Sequence, residues 1–226
     1  MVQFSDFQKL EFSLWVAIIV IVLMFAYYFL RRGLKKEDVP KTFNVAAGIL
    51  FLGMGFRFIF SIFYYYIDHP SFYRNPIIMF LGNAVLFLGT VPLGFYLEKN
   101  VFQKTKYIIS AAAMVLFAVF VYFSISSNFD GPIMLQWILP PLGIVVFIIA
   151  GGYLYLIFKT TGSVRTSATL IFIGILLIVG FFLILMFFGP YAHTPIPVVE
   201  DYLAIICPVV MMMGTFILAK GVFGYS

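Results

Sequence analysis

Seven long apolar runs alternate with short polar stretches along the chain, at approximately 12–30, 43–67, 77–97, 107–126, 135–158, 169–188 and 198–219. A helix rises 1.5 Å per residue, so roughly 20 apolar residues cross the ~30 Å hydrocarbon layer of a bilayer. Each run is close to that length or above it. The runs are continuously apolar rather than alternating, which favours helices over the strands of a barrel, and a helix satisfies its own backbone donors inside lipid. The pattern predicts an all-α integral membrane bundle of seven transmembrane helices. Its connections are short, so 1–226 reads as one domain.

Composition strengthens this reading. The chain is 63% hydrophobic and 10% charged, where a soluble domain carries about 25% charged residues. Residues 1–11 are mixed and polar, and no small-residue cleavage site follows the first apolar run, so that run is expected to stay in the membrane as a helix. The single cysteine, Cys207, cannot form an intrachain disulfide. Charge sets the expected direction. Arg31, Arg32, Lys35, Lys36 and Lys41 fall in the first connection, Lys99, Lys104 and Lys106 in the third, Lys159 and Arg165 in the fifth, and Lys220 at the carboxyl end. Only Lys9 and Arg74 fall on the other side. Basic residues concentrate on the cytoplasmic face of membrane proteins, so the amino terminus is expected outside and the carboxyl terminus in the cytoplasm of a multi-pass cell-membrane protein. The net charge of +5 sorts by connection rather than forming one patch, and nucleic acid is not an expected partner. The partner that composition does name is the lipid bilayer. Tyrosines such as Tyr27, Tyr28, Tyr96, Tyr107 and Tyr202 cluster near the expected interfaces, as an aromatic belt does.

Sliding the chain on itself by 125 residues superposes Gly55-Phe56 on Gly180-Phe181, Ile59 on Ile184, Phe63 on Phe188, Tyr66 on Tyr191 and Pro70 on Pro195. Without a gap, Val85 then meets Val210, and Gly89-Thr90 meets Gly214-Thr215. The match predicts a 3+1+3 pseudo-repeat with halves at approximately 12–97 and 135–219 and the fourth helix, 107–126, as inverter. Both halves then share one orientation, a parallel repeat about the membrane normal.

The 3+1+3 arrangement with an outside amino terminus resembles the group that holds SWEET-type and PQ-loop transporters, the KDEL receptor and the microbial opsins. The resemblance covers the whole chain at the level of topology. No Pro-Gln pair occurs, so the PQ-loop signature is absent, and the only lysine of the seventh helix, Lys220, lies at its cytoplasmic end rather than mid-helix, where a retinal lysine sits. SWEET-type transporters place an Asn in the third helix of each repeat. Asn83 matches in the first half, but Pro208 stands at its mate in the second. The segment Leu97-Glu98-Lys99-Asn100-Val101-Phe102-Gln103-Lys104-Thr105-Lys106-Tyr107 looks like the third connection of uncharacterised archaeal seven-helix proteins, and that likeness implies no function.

One charge lies at mid-depth in the apolar runs; Glu200 and Asp201 fall at the outer start of the seventh. Arg57 lies about 15 Å from the expected outer end of the second helix, too deep to reach water freely. Ala46, Leu50, Gly53, Ser61 and Tyr64 share its face at helical spacing, whereas Phe51, Phe58, Ile59, Ile62 and Phe63 lie opposite. Small and polar residues mark the face of a membrane helix that packs inward. A central arginine costs about 2.5–3.5 kcal/mol on insertion scales and marks a functional site by default. Asn83, seven residues into the third run, is at a matching depth. Arg57, Asn83, Ser61 and Tyr64 together read as a site for an anionic or polar ligand entering from outside. The competing reading is a structural arginine that binds helix carbonyls and stacks on aromatic rings.

Other features carry less. His69 and His193 lie on outer connections near Asp68, Glu200 and Asp201, with no recognised metal spacing. Pro140-Pro141, Pro208 and Gly151-Gly152 permit bends. Met211-Met212-Met213 goes all round its helix, as packing filler does. The cluster Arg31-Arg32-Gly33-Leu34-Lys35-Lys36 anchors the cytoplasmic side and suits anionic lipid. No nucleophilic constellation or phosphate-cradling loop is evident, so neither enzymatic activity nor a cofactor or metal is expected. The expected function is a receptor-like sensor that binds a small or amphipathic ligand in an outward pocket and signals to a cytoplasmic partner or a second copy of the chain. The alternatives are a small solute transporter of the 3+1+3 type and a structural membrane subunit.

Overall fold

The computed structural model describes residues 6–35, 39–63, 76–102, 104, 106–129, 131–188 and 197–225. They form seven helices: α1 (Asp6–Lys35), α2 (Val39–Ile62), α3 (Pro76–Asn100), α4 (Ile108–Ser126), α5 (Gly131–Lys159), α6 (Gly162–Phe188) and α7 (Pro197–Tyr225). No strand occurs among the described residues. All seven helices contain a stretch long and apolar enough to cross a membrane.

Helix ends depart from the apolar runs where polar residues are themselves good helix formers. α1 runs through Arg31, Arg32 and Lys35 instead of ending at residue 30. Lysine and arginine have high helix propensity, and a cation in the last turn faces the negative end of the helix dipole. α6 begins seven residues before the expected 169 and takes in Arg165, which shrinks the fifth connection to Thr160 and Thr161. The hydroxyl of Thr166 donates to the Gly162 carbonyl at 3.2 Å and that of Thr169 to Arg165 at 2.9 Å, so these residues satisfy themselves within the helix. Gly162 turns the chain with a φ of +66°, a region open to glycine without steric penalty. The second helix is described to Ile62, and the expected residues 64–67 lie outside the described ones.

The chain divides into two compact units, Val22–Tyr155 and Met1–Ile21 with Leu156–Ser226. The division cuts through α1 and α5.

In the larger unit each helix meets its predecessor antiparallel. α2 packs on α1 where Gly48 lies against Leu30 and Gly55 against Leu23, and the rings of Phe29 and Phe51 stack at 5.5 Å. α3 comes closest to α2 at Gly53 and Gly89: a Cβ built on either would stand 2.8 Å from the other's Cα. Lipid-embedded helices associate through such small residues because burial away from lipid provides no hydrophobic drive. α4 meets α3 through rings, with Phe87 and Phe117 stacked at 4.3 Å and Phe80 and Phe120 at 5.4 Å. α5 stacks Trp137 on Phe123 of α4 at 4.3 Å, and its Gly152 lies against Leu97 of α3. Phe120 and Ile138 form the buried centre of this aromatic layer.

In the smaller unit α6 and α7 pack antiparallel through Gly174, Gly214 and Gly221. A Cβ on Gly174 would stand 2.7 Å from the Leu218 backbone nitrogen, and one on Gly221 would stand 2.8 Å from that of Ile171. Buried Cys207, Met211 and Leu218 line the same helix, α7.

Candidate functional site

Arg57 is 7% exposed, five residues before the last residue of α2. Its guanidinium donates through Nη1 to the hydroxyl of Ser61, one turn on. That hydroxyl in turn donates to the Arg57 carbonyl at 3.0 Å. The i, i+4 spacing thus folds the side chain along its own helix and holds it there with a group that both accepts and donates. Across the helix pair the arginine stem lies over Gly82 of α3: a Cβ on Gly82 would come within 3.2 Å of Arg57 Cδ and 3.5 Å of Nη1. Glycine at position 82 is what leaves room for the charge between the two helices.

Asn83 follows Gly82 directly and is 6% exposed. The antiparallel register therefore brings Asn83 to the level of Arg57, as its place in the third run predicts. Ser61 is in direct contact with the arginine, and Tyr64 lies outside the described residues. So do Asp68, His69 and His193. The face opposite Arg57 is buried as well. Phe51, Phe58 and Ile62 are each less than a tenth exposed, because α2 is flanked by α1 on one side and α3 on the other. The exposed large apolar side chains here are Phe56 of α2 and Phe63 just past its end.

The chain matches no known protein family, no curated protein and no solved structure. What stands of the topological resemblance is seven helices of membrane-crossing length and apolarity, compatible with a seven-helix membrane protein.

A second polar centre lies at the other end of α3. Glu98 is 1% exposed. Its carboxylate accepts from the backbone nitrogens of Ile109 at 3.1 Å and Ser110 at 2.9 Å, and from the Ser110 hydroxyl. These donors open α4, so Glu98 caps the next helix from outside it and meets the positive end of its dipole. The residues just before the clamp, Lys106 and Tyr107, have left-handed φ of 45° and 67°. In the sequence Glu98 reads only as part of a charged connection. Its one distinguishing mark is to be the sole acidic residue in the basic run 98–106. Asn44, fully buried near the start of α2, is a further polar residue the apolar pattern masks.

Proposed function

We propose that the protein is a multi-pass cell-membrane sensor, amino terminus outside and carboxyl terminus cytoplasmic, that binds a small or amphipathic anion beside Arg57. The observation that supports this is the buried guanidinium seated over Gly82 at the level of Asn83. Burying an arginine in an apolar helix pair opposes insertion, and such a group in a membrane helix marks a site by default. Its planar fork of donors suits a carboxylate or phosphate. Ser61 and Asn83 supply the neutral polar groups, and the surrounding phenylalanines suit an apolar tail.

Thermal unfolding of the purified protein with decanoate, and with decanol as its uncharged counterpart, tests the reading. Decanoate should raise the unfolding temperature more than decanol, and Arg57→Gln should remove the difference while remaining folded. Equal responses to the two probes in the wild-type protein overturn it, as does an unchanged decanoate response in the variant.

A small transporter is the second reading, favoured by one observation. A Cβ on Gly89 would stand 3.1 Å from the Ile49 carbonyl oxygen, and one on Gly214 would stand 3.2 Å from that of Gly174. Both partners of the second contact lie 125 residues beyond those of the first, the offset of the sequence match. Two helix pairs with one register suit a protein whose halves move about a shared axis. Solute flux into proteoliposomes, absent from empty vesicles, would favour transport over sensing.

A further inference from the structure

One end of the larger unit gathers basic side chains from three helices and a turn. Gly33 of α1 lies against Lys41 and Val45 of α2, Phe43 of α2 pairs its ring with Tyr96 of α3 at 5.4 Å, and Glu98 of α3 holds the start of α4. These contacts bring the last turns of α1, the start of α2, the end of α3 and the α3–α4 turn to one level. Arg31 and Lys35, then Lys41, then Lys99, and finally Lys104 and Lys106 are all exposed there. Arg32 is directed along α1 by donating to the Tyr28 hydroxyl at 3.2 Å.

Among the described residues, the acidic side chain at this end, Glu98, does little to neutralise this surface. The run 31–41 contains five basic residues against Glu37 and Asp38. Glu98 is buried and its oxygens face the amides of α4, so its charge is directed inward, away from the lysines. The clamp also fixes the left-handed turn that presents Lys106 and Tyr107 outward. Just inside the basic rim stand exposed Tyr27, Tyr28 and Tyr107, and then exposed Met24 and Ile108. Cation, then tyrosine, then aliphatic carbon is the depth profile of a lipid headgroup region passing into hydrocarbon. A soluble acidic protein or a nucleic acid would leave the tyrosine and aliphatic tiers in water.

We propose that this end of the larger unit is a binding site for the phosphate headgroups of anionic phospholipid. Each lysine or arginine near an anionic leaflet strengthens attachment about fivefold. The smaller unit carries exposed Lys159, Arg165 and Lys220 and serves as the internal control.

The test is competition between phosphatidylglycerol and phosphatidylcholine for the delipidated protein, read by native mass spectrometry. The wild-type chain should retain phosphatidylglycerol at least tenfold over phosphatidylcholine. The combined variant Arg31→Gln, Lys35→Gln, Lys104→Gln, Lys106→Gln should fall close to parity, and Lys159→Gln, Arg165→Gln, Lys220→Gln should keep the preference. Loss of preference in both variants, or no preference in the wild type, overturns the proposal. Displacement of phosphatidylglycerol by inorganic phosphate would overturn it in favour of a free-anion site. If the combined variant does not fold, raising the salt concentration on the wild type decides. The preference should shrink as salt screens the charges, and a salt-independent preference overturns the site.

Discussion

The α2/α3 pair and the α6/α7 pair are built alike and equipped differently. Each closes around glycines where backbone meets backbone, and Gly89 and Gly214 approach carbonyls on the facing helix at nearly the same distance. Each carries a buried threonine one residue after that glycine, with its hydroxyl turned back onto its own helix: Thr90 donates to the Phe87 carbonyl at 2.7 Å and Thr215 to Met211 at 2.8 Å. The polar groups diverge. Where α2 and α3 carry Arg57, Gly82 and Asn83, positions 125 residues on are Phe182, Cys207 and Pro208. Close backbone approach is thus a property of both pairs, and a buried charge, among the residues whose burial is described, a property of one. Packing and chemistry can be separated experimentally for that reason.

The largest effect should come from filling the shared contact. Gly89→Val puts its branched carbon against the Gly53 backbone and the Ile49 carbonyl, neither of which can rotate away, and should destabilise by about 3 kcal/mol. Gly214→Val meets Leu177 Cβ and the more yielding Ile178 side chain before the Gly174 carbonyl, and should lose somewhat less. Unfolding titrations in mixed micelles would measure both, and the reverse order would break the comparison. Next is Glu98→Gln. An amide offers one acceptor oxygen where the carboxylate meets both the Ile109 and the Ser110 nitrogens, so one buried N–H faces another. A loss of about 2 kcal/mol is expected, with faster hydrogen exchange confined to the first turn of α4. Unchanged exchange there would show that the clamp does not hold the helix.

Arg57→Gln should change stability by less than about 1 kcal/mol, because removing a buried charge offsets the hydrogen bond lost to Ser61. A larger loss in the same titrations would move Arg57 to the structural reading. The smallest effect belongs to the threonines. Thr90→Val and Thr215→Val should each cost well under ~1 kcal/mol and should match, since each hydroxyl only supplements a carbonyl already inside a helix. Unequal values would reveal an unshared partner in one pair.

Residue type and spacing make some of this legible before any fold is known. The seven runs become seven helices because apolar length alone decides what can cross a membrane. Arg57 stands out as the one charge in its run, and Ser61 follows from helical spacing. Gly82 is less legible, since its importance comes from the antiparallel register that sets it under the arginine. Glu98 is less legible still. In a connection rich in lysine a glutamate reads as solvated, and only the return of α4 buries it. The helix ends at Lys35 and Gly162 are hidden for a different reason: apolar runs report where lipid begins, and helices continue past that point.

The Glu98 clamp bears on how the chain is made. A carboxylate and two bare helix-end amides are each poor candidates for an apolar environment, yet together they satisfy one another. Neither α3 nor α4 is therefore complete when it leaves the ribosome alone, and the two are expected to enter the bilayer as a hairpin. Insertion assays on nascent chains truncated after α3 and after α4 would reveal this as a late, joint integration. Glu98→Leu, which needs no partner, should let α3 integrate by itself.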